Sequence, residues 1–322
     1  MRRRPSLTRA FWHLATGRWR MQPVEIPFLD RETVRGLLPP IPEQIDLAEE
    51  TYRAMALGEV EMPPKIGIHP RDDAFLHAMP AYLRHLDAVA IKWVSGFPEN
   101  PARGLPYIHG LIIVNDAETG VPKAVLDAGE ITAARTSAAS GACVRAWAPS
   151  GWSRAAILGC GEQGRYHAAV LRALAPGCEI RAFDLVPARA EGLCADVVVC
   201  DDARAAADGA DVVITAGPIV REPPRPIDRS WLREEQLLLP VDFDFYVAPG
   251  AVEAADLFLS DEIAQYRAYR EHGHFAGWPD PAASVGEALE RGLTGRLVVC
   301  ANLGVGALDA AFAHTVIARS RS

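Results

Sequence analysis

No run of apolar residues in this chain approaches the ~20 needed to cross a bilayer as a helix, and no internal repeat is visible. The six cysteines (Cys143, Cys160, Cys178, Cys194, Cys200 and Cys300) form neither a C-x-x-C pair nor a Cys/His spacing that holds a metal. The expectation is therefore reduced, mostly buried thiols in a cytoplasmic protein. Positive charge is scarce as well: 33 Lys and Arg stand against 41 Asp and Glu, a formal charge of −8. That argues against a nucleic-acid or polyanion partner. The exception is local. Arg2, Arg3, Arg4, Arg9, Arg18 and Arg20 all precede the first acid, Glu25. Residues 11–15 between them are too short and broken for a signal-peptide core. Residues 1–21 are expected to be a disordered basic arm, or to precede a true start at Met21; a membrane-surface arm is the alternative.

What is present is a glycine turn in the middle of the chain. Gly159-Cys160-Gly161-Glu162-Gln163-Gly164 follows the apolar residues 155–158 and opens a helix-like stretch over 165–171. Twenty residues after Gly164, a short apolar run ends in Asp184. Strand, glycine turn, helix, strand and acid together make the dinucleotide-binding fingerprint. The first glycine permits the turn, the second lets a pyrophosphate approach the backbone, and the third lets helix pack on strand. Free N–H groups at the helix start hold the phosphates. Asp184 should bond the ribose hydroxyls and favour NAD(H) over NADP(H), with Arg189 placed to soften that preference. Further strands are expected at 196–199, 211–215 (ending in Thr215), 237–241 and 257–261. A proline-rich loop over 218–226 lies near a strand end.

The 150 residues before the turn read differently. Asp30 caps a helix through Leu37, stopped by Pro39-Pro40. Residues 43–57 are amphipathic, with Ile45, Ala48, Tyr52 and Met55 on one face. Short strands follow at 65–68, 75–83 and 89–94, then a hairpin around Gly120 and an alanine-rich helix over 131–147. A last strand and helix fill 298–318, and that helix is expected to return to the first domain. The fold class is therefore α/β: a doubly wound parallel sheet plus a smaller α+β domain built from both ends of the chain. The boundaries are 22–148 with 300–322 for the smaller domain, and 149–299 for the nucleotide domain.

Lys92 occupies an otherwise apolar strand. A buried ammonium needs an anion, either a structural partner such as Glu99 or a substrate carboxylate. Arg135, whose planar fork suits a carboxylate, and Lys65, after two prolines, are further candidates. Cys160 inside the turn reads as a small filler or a redox group.

The segments Met62-Pro63-Pro64-Lys65, Ala78-Met79-Pro80-Ala81-Tyr82, residues 92–106, 113–116, 120–122, 131–140 and 158–164, and Asp309, give a resemblance to the ornithine cyclodeaminase/mu-crystallin family. The resemblance covers nearly everything from Ile26 on. It implies a Rossmann NAD domain, a second domain that pairs sheets across a homodimer, and chemistry at the α-carbon of a small amino or imino acid. By it, Lys92 and Arg135 hold the substrate carboxylate, with Lys65 beside them and Lys92 also in the catalytic set. Gly159, Gly161, Glu162, Gln163, Gly164, Asp184 and Thr215 surround the cofactor. Asp242 falls where the family places an acid/base aspartate, although Pro240-Val241-Asp242-Phe243-Asp244 departs from the family's glycine-rich pattern there and leaves Asp244 as the rival. His77 stands near the point where true cyclodeaminases carry a glutamate for a distal amine. The implied activity is an NAD-dependent amino-acid dehydrogenase or ketimine reductase. Ornithine or lysine cyclodeaminase is the alternative, and a non-enzymatic ligand-binding protein the third reading.

Overall fold

Alternating burial builds the first of two sheets. The computed structural model describes residues 23–321; the expected basic arm over 1–21 lies outside the described residues. The chain opens with β1 (Phe28–Leu29), α1 (Arg31–Leu37) and α2 (Ile41–Ala56). Asp30 caps α1 by accepting from the Thr33 N–H at 2.8 Å. On α2, Ile45, Ala48 and Tyr52 are buried. Then come β2 (Val60–Glu61), β3 (Ile66–Ile68), β4 (Phe75–Leu83), β5 (Ala88–Gly96), β6 (Ile108–Asn115), β7 (Pro122–Asp127) and α3 (Gly129–Trp147). The sheet order is β1-β7-β6-β5-β4-β2, with β3 also on β4. Gly120 closes the β6–β7 hairpin with φ +73°, a left-handed conformation that favours glycine.

The register makes the two faces unlike. Met79, Lys92, Ile112 and Leu126 align on the inner face, which is buried. On the outer face, Ala78, Trp93 and Leu111 align, as do Pro80, Ile91, Ile113 and Val125. Trp93 and Leu111 remain 43% exposed there, so an apolar sheet face faces outward.

The second sheet is parallel throughout. Its elements are β8 (Arg154–Leu158), α4 (Glu162–Leu174), β9 (Glu179–Phe183), α5 (Pro187–Glu191), β10 (Val198–Val199), α6 (Ala203–Ala207), β11 (Val212–Thr215), β12 (Gln236–Pro240), α7 (Pro249–Glu253), β13 (Leu257–Ser260), α8 (Ile263–Glu271), β14 (Ala283–Ser284), α9 (Val285–Arg291) and β15 (Leu297–Ala301). The order β10-β9-β8-β11-β12-β15-β13-β14 reverses direction between β8 and β11, the switch point where doubly wound sheets bind ligands. β10 is shorter than the expected 196–199 because Asp196 has φ +56°. The expected boundary after residue 299 falls inside β15, which continues to Ala301 beside β13.

The chain then crosses back through Asn302–Val305 into α10 (Gly306–Ser320), which packs on β4 and β5. Among the described residues no helix is long and apolar enough to cross a membrane, and no cluster of His, Cys, Asp or Glu is arranged to hold a metal.

Candidate active site

Lys92 is fully buried, and its partner is not Glu99. Its Nζ donates to Asp309 Oδ1 at 2.7 Å and to Thr132 Oγ1 at 3.3 Å, whereas Glu99 pairs with Arg103. Asp309 lies in α10, on an otherwise apolar stretch laid across β5. Arg135, three residues beyond Thr132 on α3, donates Nε to the same oxygen at 3.1 Å. The other oxygen of Asp309 is buried with no hydrogen-bond partner. The guanidinium rests on Gly304, where φ is +80° and an added Cβ would lie 2.4 Å from Nη1. Only glycine permits that approach.

Lys65 reaches this cluster from the start of β3. Its Nζ donates to the Leu303 carbonyl at 2.6 Å and lies 5.4 Å from the Tyr269 ring and 5.9 Å from the Phe243 ring. Asp261, at the end of β13, accepts from the Gly304 N–H at 2.6 Å, and its second oxygen is buried and unpartnered. These five groups carry three positive and two negative charges, a surplus of one positive charge. Burial, then Arg135, press Lys92 down to about 7 while Asp309 opposes them. Burial and Arg135 likewise lower Lys65 to about 8. Burial raises Asp261 to about 6 against the pull of Lys65. An anion added here would relieve both lysines.

Asp242 lies just past the end of β12, after Val241. Its two oxygens accept from Thr215 Oγ1 at 2.6 Å and the Gly217 N–H at 2.7 Å. Burial lifts its carboxyl to about 7 in spite of those bonds, which poises it for proton transfer near neutrality. Thr215, expected at the cofactor, is fully buried and donates its hydroxyl to Asp242. Asp244 has other duties: it binds Arg225 and accepts from the Phe275 N–H at 3.0 Å. Phe243, between the two aspartates, has φ +63° and places its ring under Lys65, so the turn links Asp242 to the cation cluster.

His77 projects from the inner face of β4, stacked on Phe75 at 4.4 Å. Burial first, then Lys65, depress it to about 3. Lys65, Phe75, His77, Phe243 and Tyr269 line a cleft of about 620 Å³ between β3–β4 and the loops and helix α8 of the second sheet, with Lys92, Arg135 and Asp242 buried behind that lining. A second, apolar cavity of about 390 Å³ lies beyond β9, walled by Phe183, Leu185, Trp231, Phe245 and Tyr246. The proline-rich strap over residues 217–226 forms part of both: Ile219 to Arg221 line the cleft, and Pro224 and Pro226 line the apolar cavity. It is tied across the cleft by the Arg221 N–H, which donates to Asp73 at 2.9 Å.

The glycine turn matches the geometry a dinucleotide needs. Gly159 has φ +100°, and an added Cβ would meet the Ala216 carbonyl at 2.4 Å. At Gly164 a Cβ would meet the Gly159 carbonyl at 2.5 Å, while at Gly161 it would meet nothing within 4 Å. The first and third glycines are thus filled by protein, and the middle one faces open space at the start of α4. Gln163 Oε1 is buried without a partner. Glu162 is neutralised by Arg31, which also bonds Glu130. Asp184 accepts from the Cys160 and Val186 N–H groups, each at 2.8 Å, with Arg189 3.9 Å away. Burial and Asp184 push the Cys160 thiol up to about 12, which suits a filler of the turn and not a redox group.

The family model of the ornithine cyclodeaminase/mu-crystallin family matches residues 28–241. The nodulation efficiency protein NfeD of Rhizobium meliloti is 32% identical over 310 residues, 90% of this chain and 94% of that protein. The alanine dehydrogenase of Archaeoglobus fulgidus is 33% identical over 216 residues, 66% of this chain and 65% of that one. Among solved structures, an archaeal alanine dehydrogenase dimer with bound NAD superposes with a TM-score of 0.80 at 27% identity, covering 92% of this chain and 97% of that one.

Proposed function

The chain belongs to the ornithine cyclodeaminase/mu-crystallin family, and from that premise we propose an NAD(H)-dependent oxidoreductase acting at the α-carbon of a small amino or imino acid, as a dehydrogenase or ketimine reductase. The observation that carries it is the surplus positive charge of the Lys65, Lys92 and Arg135 cluster, set beside a buried aspartate at the switch-point end of a dinucleotide sheet. NAD(H), when bound, supplies the hydride acceptor or donor for Cα. Residues 159–164 and Asp184 hold that cofactor, and the apolar cavity beyond β9 suits its adenine end. Lys92 and Arg135 bind the substrate carboxylate by charge-assisted bonds. Asp242 takes or returns the proton at the reacting carbon's nitrogen or its water, held in place by Thr215 and Gly217.

The cyclodeaminase reading needs an anion for a distal ammonium. His77, neutral and next to Lys65, does not supply one. Incubation with NAD and an amino acid, with NADH absorbance and ammonia followed together, separates the readings. Net NADH change supports this proposal. Ammonia with a cyclic product and no net NADH would replace it with cyclodeamination, and binding without turnover with a carrier role.

The proposal extends to assembly and place. The outer sheet face of Trp93, Leu111 and Ile113 is covered by a second copy of the chain, giving a homodimer, because a closed two-fold pairing buries such a face on both partners. The two sheets define two domains, the smaller including α10. Six free thiols accord with a cytoplasmic protein.

A further inference from the structure

One wall of the cleft is not used by the chemistry just described. On the inner face of β4, Met79 pairs in register with Lys92, and the next inward side chains along that face are His77 and Phe75. Here the wall is made of rings. Tyr269 meets His77 edge-on at 6.1 Å, and Phe243 meets Tyr269 at 4.7 Å. The place for His77 is built: an added Cβ at Gly67 would lie 2.3 Å from the imidazole. Asp73 is the one acid among the described residues lining the cleft, and it is engaged by the Arg221 N–H. His77 stays neutral at ordinary pH. The Tyr269 hydroxyl is buried without a partner, and burial raises its pKa, keeping it a donor. Such a wall offers ring-to-ring packing and one O–H donor, and the cleft's one acid, Asp73, accepts from the strap's Arg221 N–H and is not one of these rings.

We propose that this wall is the side-chain pocket, with His77 and Tyr269 as specificity determinants, and that the substrate is an amino or imino acid bearing an uncharged ring. The proposal rests on the oxidoreductase reading above. The test is kcat/KM of the full chain for L-alanine, L-ornithine, L-phenylalanine and L-tyrosine with NAD, and for the matching 2-oxo acids with ammonium and NADH. The ring-bearing substrates should exceed alanine by about tenfold or more, the range in which apolar pockets discriminate, and ornithine should rank last. In Tyr269→Leu the phenylalanine-to-alanine ratio should fall by about tenfold, a ratio that cancels any general loss of folded enzyme. Tyr269→Phe should keep the preference for phenylalanine. Turnover of alanine or ornithine equal to that of the ring substrates, or an unchanged ratio in Tyr269→Leu, overturns the proposal and leaves the oxidoreductase reading standing. Failure of all four amino acids and their 2-oxo acids to change NADH, while NADH still binds, overturns that reading and this proposal with it.

Discussion

One oxygen of Asp309 serves both Lys92 and Arg135, so the cations that should meet substrate also hold the core together. Lys92→Met is expected to raise KM by roughly one to two orders of magnitude, from charge-assisted bonds of about 1.5–3 kcal/mol each. It should lower thermal stability only modestly, because Arg135 still pairs the Asp309 carboxylate and the loss of Lys92 removes the cluster's surplus positive charge; kinetics and a melting curve on one preparation check both. The two aspartates after β12 should separate just as sharply. Asp242→Asn should lower kcat by about 10²–10⁴-fold with NADH binding intact. Asp244→Asn should act mainly on stability through Arg225 and Phe275. The pH profile of kcat/KM should be a narrow bell. Its rising limb is the loss of the Asp242 proton at about 7, since a base must be deprotonated to accept. Its falling limb includes the loss of the Lys92 charge at about 7 and of the Lys65 charge at about 8, since a neutral amine no longer attracts a carboxylate. Lys65→Arg should carry the Lys65 share of the fall to higher pH, because guanidinium stays charged.

At the scale of elements, the glycine turn offers a contrast within six residues. Gly159→Ala forces a Cβ against the Ala216 carbonyl at a left-handed φ and should cost both stability and cofactor binding, with strain of about 1–3 kcal/mol. Gly161→Ala meets open space; it should weaken NADH binding in a fluorescence titration and leave the melting temperature nearly unchanged. This turn was legible in the sequence because its signals are local: a glycine spacing, an apolar strand before it and a helix after it. β4 was legible to the residue, because one covered face imposes period-two burial on Phe75–Leu83. The partners of Lys92 were not legible from local pattern. Asp309 lies 217 residues away, and an aspartate in an alanine-rich helix carries no sign of what it faces. Glu99, near in sequence, proved to be on the surface. Tyr269 and Asp261 were equally hidden, since their roles come from α8 and β13 being brought against β3 and β4. Thr215 was placed on the right strand end, but from strand position alone the direction of its hydroxyl could not be read.

For the whole molecule, the outward apolar face should govern assembly. Light scattering is expected to give twice the chain mass, and Trp93→Glu with Ile113→Asp should yield a monomer, since charge on that face opposes its burial. A wild-type monomer would remove the dimer from the proposal. The strap over residues 217–226 bears on a different property. A single segment walls both cavities, so its position is a variable the two ligands share. Any strap position favoured by one ligand alters the affinity of the other, and thermodynamic reciprocity makes the two factors equal. The Kd of NADH should therefore change on saturation with a 2-oxo acid by the same factor as the acid's Kd changes on saturation with NADH. Asp73→Ala, which removes the tie to the Arg221 N–H, should move that common factor toward one, so that cofactor and substrate bind as strangers.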